Sequence, residues 1–596
     1  MFGVDYYPEH WDIKRLKSDL KIIKENGMEV IRIGEFIWSD VEPEEGKYDF
    51  NILDRVFEES EKLGLNIILG TPTATPPIWL VEKYPEILQM DEYKRVRPFG
   101  SRRHYCYSSE VYKDYSARIS EKYAEKYGKN KALFAWQIDN EFGCENTTFC
   151  YCENCERGFK EFLRKKFNGE INQLNKSWGT SFWSQKYSSF DQIGTPIVTN
   201  AALNPHQVLD FYRFTTDSID KFAENQIEVI KKYSNAKITH NFMVNFTEID
   251  YKKHSRFYDF ISYDNYSPYD EFKPLNTAFN YDLMWSLMRK PFTIMEQQPG
   301  RVNWQIRNKY YPAKWIKPSA ESAEYHGADN IVYFRYRANP YGAEQWHNGI
   351  LSFDGNPENS ERLKIIKELS RTENIPIRPK SKAAIYFDYE NAWIHEINNV
   401  SKDFSYIESI IDIYAALRNL GYFVDIVFDD SEIDEYELLI VPYAVVLSEE
   451  FKEKMYRYRG KLFITCMTDL KNRDNSIHSS GLPGFSFEDL KFSIVDFGAV
   501  TDESVTLFDK TYKANYWIEE LKVIEGNSAG NWESYPDKEY VAYISSADGS
   551  KYYVSSVFGR DFWLNLFKKV TGKEIINRED ETEAIMDNEK IKKIKF

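Results

Sequence analysis

The sequence predicts an α/β protein: a (β/α)8 TIM barrel over residues 1–376, a flavodoxin-like α/β domain over 377–572, and a short C-terminal segment, 573–596. Three observations predict this. Eight β-prone runs alternate with stretches of helical spacing in about the first 370 residues. The same alternation restarts after a polar, proline-bearing stretch at 371–382 (RTENIPIRPKSK). No GxGxxG follows the first run, which removes the fingerprint of a dinucleotide-binding open sheet.

The eight runs are 2–7 (FGVDYY), 30–34 (VIRIG), 66–71 (NIILGT), 132–141 (ALFAWQIDNE), 236–242 (AKITHNF), 260–266 (FISYDNY), 291–298 (PFTIMEQQ) and 330–337 (NIVYFRYR). Between them, Trp11, Leu16, Leu20 and Ile23 fall on one helical face before Gly27. Leu53, Val56, Phe57 and Leu63 do so before Gly64, and a longer helix spans 211–233. Glycine just beyond the last apolar position is a helix stop. Most runs end in polar or aromatic residues: Asp5, Asn140 and Glu141, His240 and Asn241, Asn265 and Tyr266, Glu296, and Arg335 with Arg337. The C-terminal strand ends of a barrel form its functional face.

The second α/β unit reads as strands at 383–388, 423–430, 438–444 and 461–466, with helices at 407–420 and 449–458. The last two dozen residues are too few for an independent core. They read as the remnant of a β domain, a small strand pair, or a tail.

Composition narrows the function. With 77 basic and 93 acidic side chains the net charge is −16, which disfavours nucleic acid and anionic membrane surfaces as partners. The N-terminus MFGVDYYPEHW carries no leader pattern and no apolar run nears the ~20 residues of a membrane span, so a cytoplasmic protein is expected. Aromatic residues make up 16% (43 Tyr, 40 Phe, 14 Trp), which suits a cleft where rings stack on sugar CH faces.

Glu141 ends the fourth run and Glu296 the seventh, strands that face each other across a barrel mouth. Paired carboxylates in an aromatic cleft are what glycoside hydrolysis needs: one protonates the leaving oxygen, the other attacks or activates water. Taken singly, each glutamate could equally be a salt-bridged core acid; together at matching strand ends they point to catalysis.

Five of six cysteines lie between 106 and 155. Cys150, Cys152 and Cys155 (CYCENC) with Cys106 could supply four thiolates to a closed tetrahedral zinc, structural because no coordination position is left open. Free thiols or disulfides are the alternatives. Cys144 is spare. Cys466 lacks the flanking glycines of a nucleophile elbow and reads as core, which counts against amidotransferase chemistry.

The chain resembles the β-galactosidases of glycoside hydrolase family 42. The stretches that carry the resemblance are GVDYYPEHW (3–11), IRIGEFIWSDVEPEEGKYDF (31–50), TPTATPPIWL (71–80), GSRRHYC (100–106), WQIDNEFG (136–143), MEQQPGRVNW (295–304) and GAEQWHNGILSFDG (342–355), with SGLPGF (480–485) a weaker match in the second domain. The resemblance implies a retaining enzyme with Glu141 as acid/base, Asn140 on the sugar 2-hydroxyl and Glu296 as nucleophile. It implies sugar contacts from Arg102, with Arg103 left as a structural alternative. Trp304 would close the galactose pocket, and Glu344 with His347 would hold the 4- and 6-hydroxyls. Tyr266 is a further substrate-binding candidate, while Phe334 and Trp183 are left unassigned. Relatives with these cysteines bind zinc there. The second domain implies a homotrimer, although the short C-terminus departs from the family's fuller third domain. The implied substrate is a galactoside or galacto-oligosaccharide with terminal β-D-galactose. An α-L-arabinopyranosidase, or a glycosidase of galactan or rhamnogalacturonan fragments, would share the pocket motifs. A catalytically inactive sugar-binding protein is the reading from another class, and the presence of both glutamates counts against it.

Overall fold

A computed structural model describes residues 1–266, 274–372, 376–501, 503–532, 534, 540–587 and 590–596. The first unit holds nine short strands: β1 Phe2–Asp5, β2 Val30–Ile33, β3 Asn66–Gly70, β4 Leu133–Gln137, β5 Lys237–Thr239, β6 Asn241–Met243, β7 Ser262–Asn265, β8 Phe292–Gln297 and β9 Ala328–Tyr333. They form one parallel sheet in the order β5-β4-β3-β2-β1-β9-β8-β7-β6. The two ends of that order, β5 and β6, are separated only by His240. They are halves of a single stave, so the sheet closes as an eight-stave TIM barrel. The expected fifth strand, 236–242, is therefore broken at His240, its first half bonding to β4 and its second to β7.

Alternation along the staves sets the interior. Val30, Ile68, Ala135, Met295 and Val332 form an apolar layer. Two residues farther on, the side chains on the same face are Arg32 after Val30 and Gln137 after Ala135, and Asp5 follows Gly3 in the same way. A Cβ on Gly3 would lie 2.3 Å from Val30 Cγ1, so this position has no room for a side chain. The barrel is thus greasy in its middle and charged toward its C-terminal mouth.

The helices follow their sequence cues with small shifts. The first long one is Leu16–Glu25, preceded by a turn at Ile13–Arg15. Asn51–Leu63 ends on Gly64 at φ 64°, the left-handed position glycine favours. The 211–233 helix starts earlier, as Pro205–Lys231, because Asn204 caps the backbone N–H groups of His206 and Gln207.

In the second unit, β10 Ala383–Tyr386, β11 Val424–Val427, β12 Leu438–Val441, β13 Lys461–Thr465 and β19 Lys551–Val554 are parallel, in the order β11-β10-β12-β13-β19. That is the flavodoxin-like 2-1-3-4-5 order. Strands β18 (Val541–Ser545) and β17 (Asn527–Asn531) extend it antiparallel. A second, antiparallel sheet, with no counterpart in the sequence reading, is built from β14 (Lys491–Gly498), β15 (Glu503–Leu507), β16 (Lys510–Glu525) and β20 (Ser556–Phe558). The predicted linker 371–382 lies partly outside the described residues, which omit 373–375.

The C-terminal residues form a hairpin, β21 (Thr582–Asp587) with β22 (Lys590–Lys595). Its buried Glu583 accepts from His326 Nε2 (2.8 Å), Arg418 Nη2 (2.8 Å) and Ser322 Oγ (2.5 Å). His326 Nδ1 pairs with Asp282 at 2.7 Å, and Tyr414 donates to the same carboxylate at 2.7 Å. This buried ionic knot fastens barrel, second unit and hairpin together. No helix among the described residues is long and apolar enough to cross a membrane.

Candidate active site

Glu141 and Glu296 meet in the barrel mouth. With Asp264, each places a carboxylate oxygen within 4.8 Å of the other two, and all three side chains are buried. Three carboxylates gathered in low dielectric are costly unless neighbours offset the charge, and the surroundings supply that.

Arg32, fully buried on β2, is the counter-charge for Glu296. Its Nη2 lies 2.7 Å from Glu296 Oε1 and 3.0 Å from Glu35, and its Nε is 2.7 Å from Asp5. Gln137 accepts from its Nη1 at 3.2 Å, so the guanidinium plane is fixed. Tyr266 donates to the other oxygen of Glu296, Oε2. Burial pushes Glu296 above the usual carboxylate range; Arg32 opposes this and the Glu141 charge adds to it.

Glu141 sits past the end of β4, where the chain leaves strand geometry: Asp139 has φ 52° and Glu141 φ 44°. Left-handed backbone at non-glycine residues persists only where surroundings over-determine it. Here Thr73 and Tyr105 donate to Asp139 at 2.6 and 2.8 Å, and its N–H donates to Thr71 Oγ1 at 2.7 Å. His240, at the break in the fifth stave, donates from Nδ1 to Ile138 O (2.8 Å) and accepts from Phe142 N–H at Nε2 (3.2 Å), bracketing the turn. Burial holds this imidazole neutral, its pKa well below the usual value, as that bonding requires.

Asn241 ties the two sides together. Its Oδ1 accepts from the Glu141 N–H at 3.1 Å. Its Nδ2 donates to Asp264 Oδ2 at 2.6 Å, to Asn140 Oδ1 at 3.0 Å and, at 3.4 Å, to Glu296 Oε1. Asn140 Nδ2 in turn reaches Glu141 Oε2 at 3.3 Å. Arg103, wholly buried, donates to Glu141 Oε2 at 2.6 Å and to Asn140 O at 2.9 Å. Arg102 is partly open and lies 3.8 Å from the same Glu141 oxygen.

The remaining sequence-predicted residues form one wall. Tyr266 packs edge-on against Trp304 at 4.7 Å, Trp304 stacks on His347 at 5.1 Å, and Phe334 meets His347 at 5.0 Å. Burial pushes His347 down to about 3, so it is neutral. Its Nε2–H donates to Phe334 O at 3.2 Å, leaving Nδ1 as an acceptor without a protein partner. Glu344 reaches Arg335 at 3.3 Å. Trp183, by contrast, is 62% exposed and packs on Phe182.

Arg32 and Asp264 carry the site's electrostatics, yet sequence reading gave them no role. A charge in the middle of the apolar run VIRI was a usable signal, since buried arginines demand partners. Asp5, His240 and Asn241 stood out as polar strand ends but had no assigned task.

The sulfurs of Cys106, Cys150, Cys152 and Cys155 also converge within 4.8 Å of one another. Cys106 lies 3.4 Å from both Cys152 and Cys155, and none of the four is in a disulfide. Tetrahedral Zn–S bonds of ~2.3 Å put sulfurs about 3.8 Å apart, so the spacing and donor set fit that ion. Hydrogen bonds from Cys106, Cys150 and Cys155 hold the Cys152 thiol far below its usual pKa. The cluster is walled by Phe159, Leu163, Trp178, Phe211 and Phe214, a satellite core separate from the barrel's. Cys144 lies outside it, its thiol pushed up to about 12 by burial, and Cys466 is fully buried.

The family model described as β-galactosidase of glycoside hydrolase family 42 matches residues 5–372, and one described as β-galactosidase trimerisation domain matches 381–577. A β-galactosidase of Thermus thermophilus is 38% identical over 503 residues, 81% of this chain and 78% of that protein. The β-galactosidase BgaA of Clostridium cellulovorans is 32% identical over 588 residues, 95% of this chain and 88% of that one. The crystal structure of a β-galactosidase from the psychrophilic Marinomonas ef1 superposes with a TM-score of 0.92 at 32% identity, covering 98% of this chain and 93% of that chain.

Proposed function

The chain belongs to the β-galactosidases of glycoside hydrolase family 42, and from that premise we propose that it hydrolyses terminal β-D-galactosides with retention, Glu296 acting as nucleophile and Glu141 as acid/base. The observation that carries this reading is the spacing of the two glutamates, with oxygens within 4.8 Å. An inverting pair stands ~6.5–9.5 Å apart to admit a water, whereas a retaining pair stands at ~5–5.5 Å.

In the first step a Glu296 oxygen attacks the anomeric carbon while Glu141 gives its proton to the glycosidic oxygen, and the bond to the leaving group breaks. The product is a galactosyl ester of Glu296. In the second, Glu141 takes a proton from water, the water oxygen attacks the anomeric carbon, and Glu296 leaves as carboxylate. Arg32 and Tyr266 stabilise that carboxylate, and Asn140 is placed for the 2-hydroxyl. The unpartnered Nδ1 of His347 and the carboxylate of Glu344 accept from hydroxyls on the far side of the sugar, over which Trp304 folds.

Cys106, Cys150, Cys152 and Cys155 would hold a zinc ion whose role is structural, since four thiolates leave no position for water or substrate. The match of residues 381–577 to a trimerisation domain supports a homotrimer; light scattering should give three times the 70.5 kDa chain mass, and a monomer mass would remove that assignment.

The decisive experiment is Glu296→Ala. We expect turnover of an aryl β-galactoside to vanish and azide to restore it, yielding the α-galactosyl azide. Near wild-type hydrolysis by that variant would overturn the assignment. A panel of nitrophenyl β-galactoside and α-L-arabinopyranoside separates the two closest substrates.

A further inference from the structure

Glu344 stands on an exposed loop. It follows β9, and its neighbours Gly342, Ala343, Gln345 and Trp346 are all open to solvent, so packing does not fix its aim. The side chain keeps 27% of its surface open, and its one ion-pair partner among the described residues is Arg335, at 3.3 Å. Arg335 itself is only 3% exposed. A guanidinium so buried needs its donors met, and Glu344 meets only Nη1.

His10 meets the other end of the fork. It closes the turn Pro8–His10, directly after β1, and its Nδ1 accepts from Arg335 Nη2 at 2.5 Å. That bond needs a bare lone pair on Nδ1, hence a neutral ring. Burial, helped by the Arg335 charge, pushes the imidazole down to about 4. Both groups rest on one aromatic ring: Arg335 Cζ lies 4.5 Å over Tyr7, and His10 stacks on Tyr7 at 5.3 Å and 17°. Tyr7 cannot swing away, because its hydroxyl donates to Glu35 at 2.7 Å and accepts from Arg32 Nη2 at 3.0 Å. Arg32 is the residue that holds Glu296. The Glu344 loop is tied to the same turn a second time, where the Tyr341 hydroxyl donates to His10 O.

The mechanism leaves His10 idle, yet its polarity has a use. The space between the Tyr7 and Tyr341 rings asks only for an apolar group; an acceptor at Nδ1 is needed for Arg335 alone. We propose that His10 is a positioning residue for substrate recognition: its Nδ1 fixes Arg335, and Arg335 aims the Glu344 carboxylate at the hydroxyls on the far side of the sugar. The inference rests on the β-galactosidase reading above, which gives Glu344 its part in binding.

The test is a double-mutant cycle on kcat and KM for nitrophenyl β-galactoside. It uses wild type, His10→Leu, His10→Asn, Glu344→Gln and the double variant His10→Leu/Glu344→Gln. Asparagine puts Oδ1 where histidine has Nδ1 and keeps the acceptor; leucine removes it. His10→Leu should raise KM about five- to tenfold, the loss of one buried hydrogen bond, with kcat changed less than about twofold. His10→Asn should stay within about twofold of wild type in both. In the Glu344→Gln background His10→Leu should raise KM less than about twofold, because the carboxylate it aims is already gone. If His10→Leu fails to fold, His10→Ala takes its place in the cycle. Equal KM rises in both backgrounds, no rise in either, or His10→Asn as impaired as His10→Leu each overturn the inference. Wild type that cleaves the galactoside, with KM unmoved by Glu344→Gln, also overturns it and leaves the family reading intact. Wild type without activity on any β-galactoside overturns both.

Discussion

Asp264 offers the sharpest check on the site's electrostatics. Burial, together with the charges of Glu296 and Glu141, pushes its carboxyl well above the usual range, which favours its protonated form. Asp264→Asn then exchanges one neutral hydrogen-bonding group for another of the same shape. The acid limb of kcat/KM against pH, which reports ionisation of Glu296, should move by less than about half a pKa unit. The contrary case is large. At 4.8 Å and an effective dielectric of about 20, a full charge on Asp264 acts on a neighbouring carboxylate by about 3.5 kcal/mol, or about 2.5 pKa units. Initial rates with nitrophenyl β-galactoside between about pH 4 and 9 distinguish the two. A fall of the acid limb by two units or so in the variant means Asp264 is ionised and refutes the account given for the trio.

Arg32→Lys keeps the charge but loses the fork that spans Glu296, Glu35 and Asp5; losing one charge-assisted bond of ~1.5–3 kcal/mol should lower kcat/KM about ten- to hundredfold, and an unchanged value would show that Arg32 is not the counter-charge. Removing zinc with a chelator, or substituting Cys152→Ser, should lower Tm and loosen the wall beside Glu141 without abolishing turnover; a protein that purifies metal-free with an unchanged Tm contradicts the metal assignment. Glu583→Ala leaves His326 and Arg418 buried with one partner fewer, a loss of about 3–5 kcal/mol in urea unfolding. The same knot makes stability depend on pH. Burial raises Glu583, but the His326 and Arg418 charges outweigh it and hold the carboxyl below the usual range. Burial lowers His326, but Asp282 and Glu583 outweigh it and hold the imidazole above its usual value. The carboxylate contribution is therefore complete above about pH 4.5 and lost as the pH falls further; the imidazole contribution is complete below about pH 6.5 and lost as the pH rises through its raised value. Melting curves across that range should narrow the gap between wild type and Glu583→Ala at both ends, and a gap independent of pH argues against the ionic knot.

The sequence by itself determined the alternation of strands and helices, the TIM barrel, the flavodoxin-like order of units after it, and a glutamate at the end of the fourth and seventh staves. These rest on local periodicity and on position within a run, which a chain carries whatever its neighbours do. The grouping of Cys150, Cys152 and Cys155 was likewise visible as spacing. Only the tertiary structure decided the break at His240, because a stave is split by which neighbours its halves bond, and barrel closure sets that. It decided that Arg32 faces three carboxylates and that Asp264 stands beside both glutamates, since charges interact through space and the partners lie up to 291 positions apart in the chain, as Asp5 and Glu296 do. The antiparallel sheet around Lys510–Glu525 and the anchoring of the C-terminal hairpin by Glu583 depend on the same long-range pairing. A carboxylate at a strand end is legible in one dimension; whether it acts as acid, nucleophile or clamp is set by what surrounds it in three.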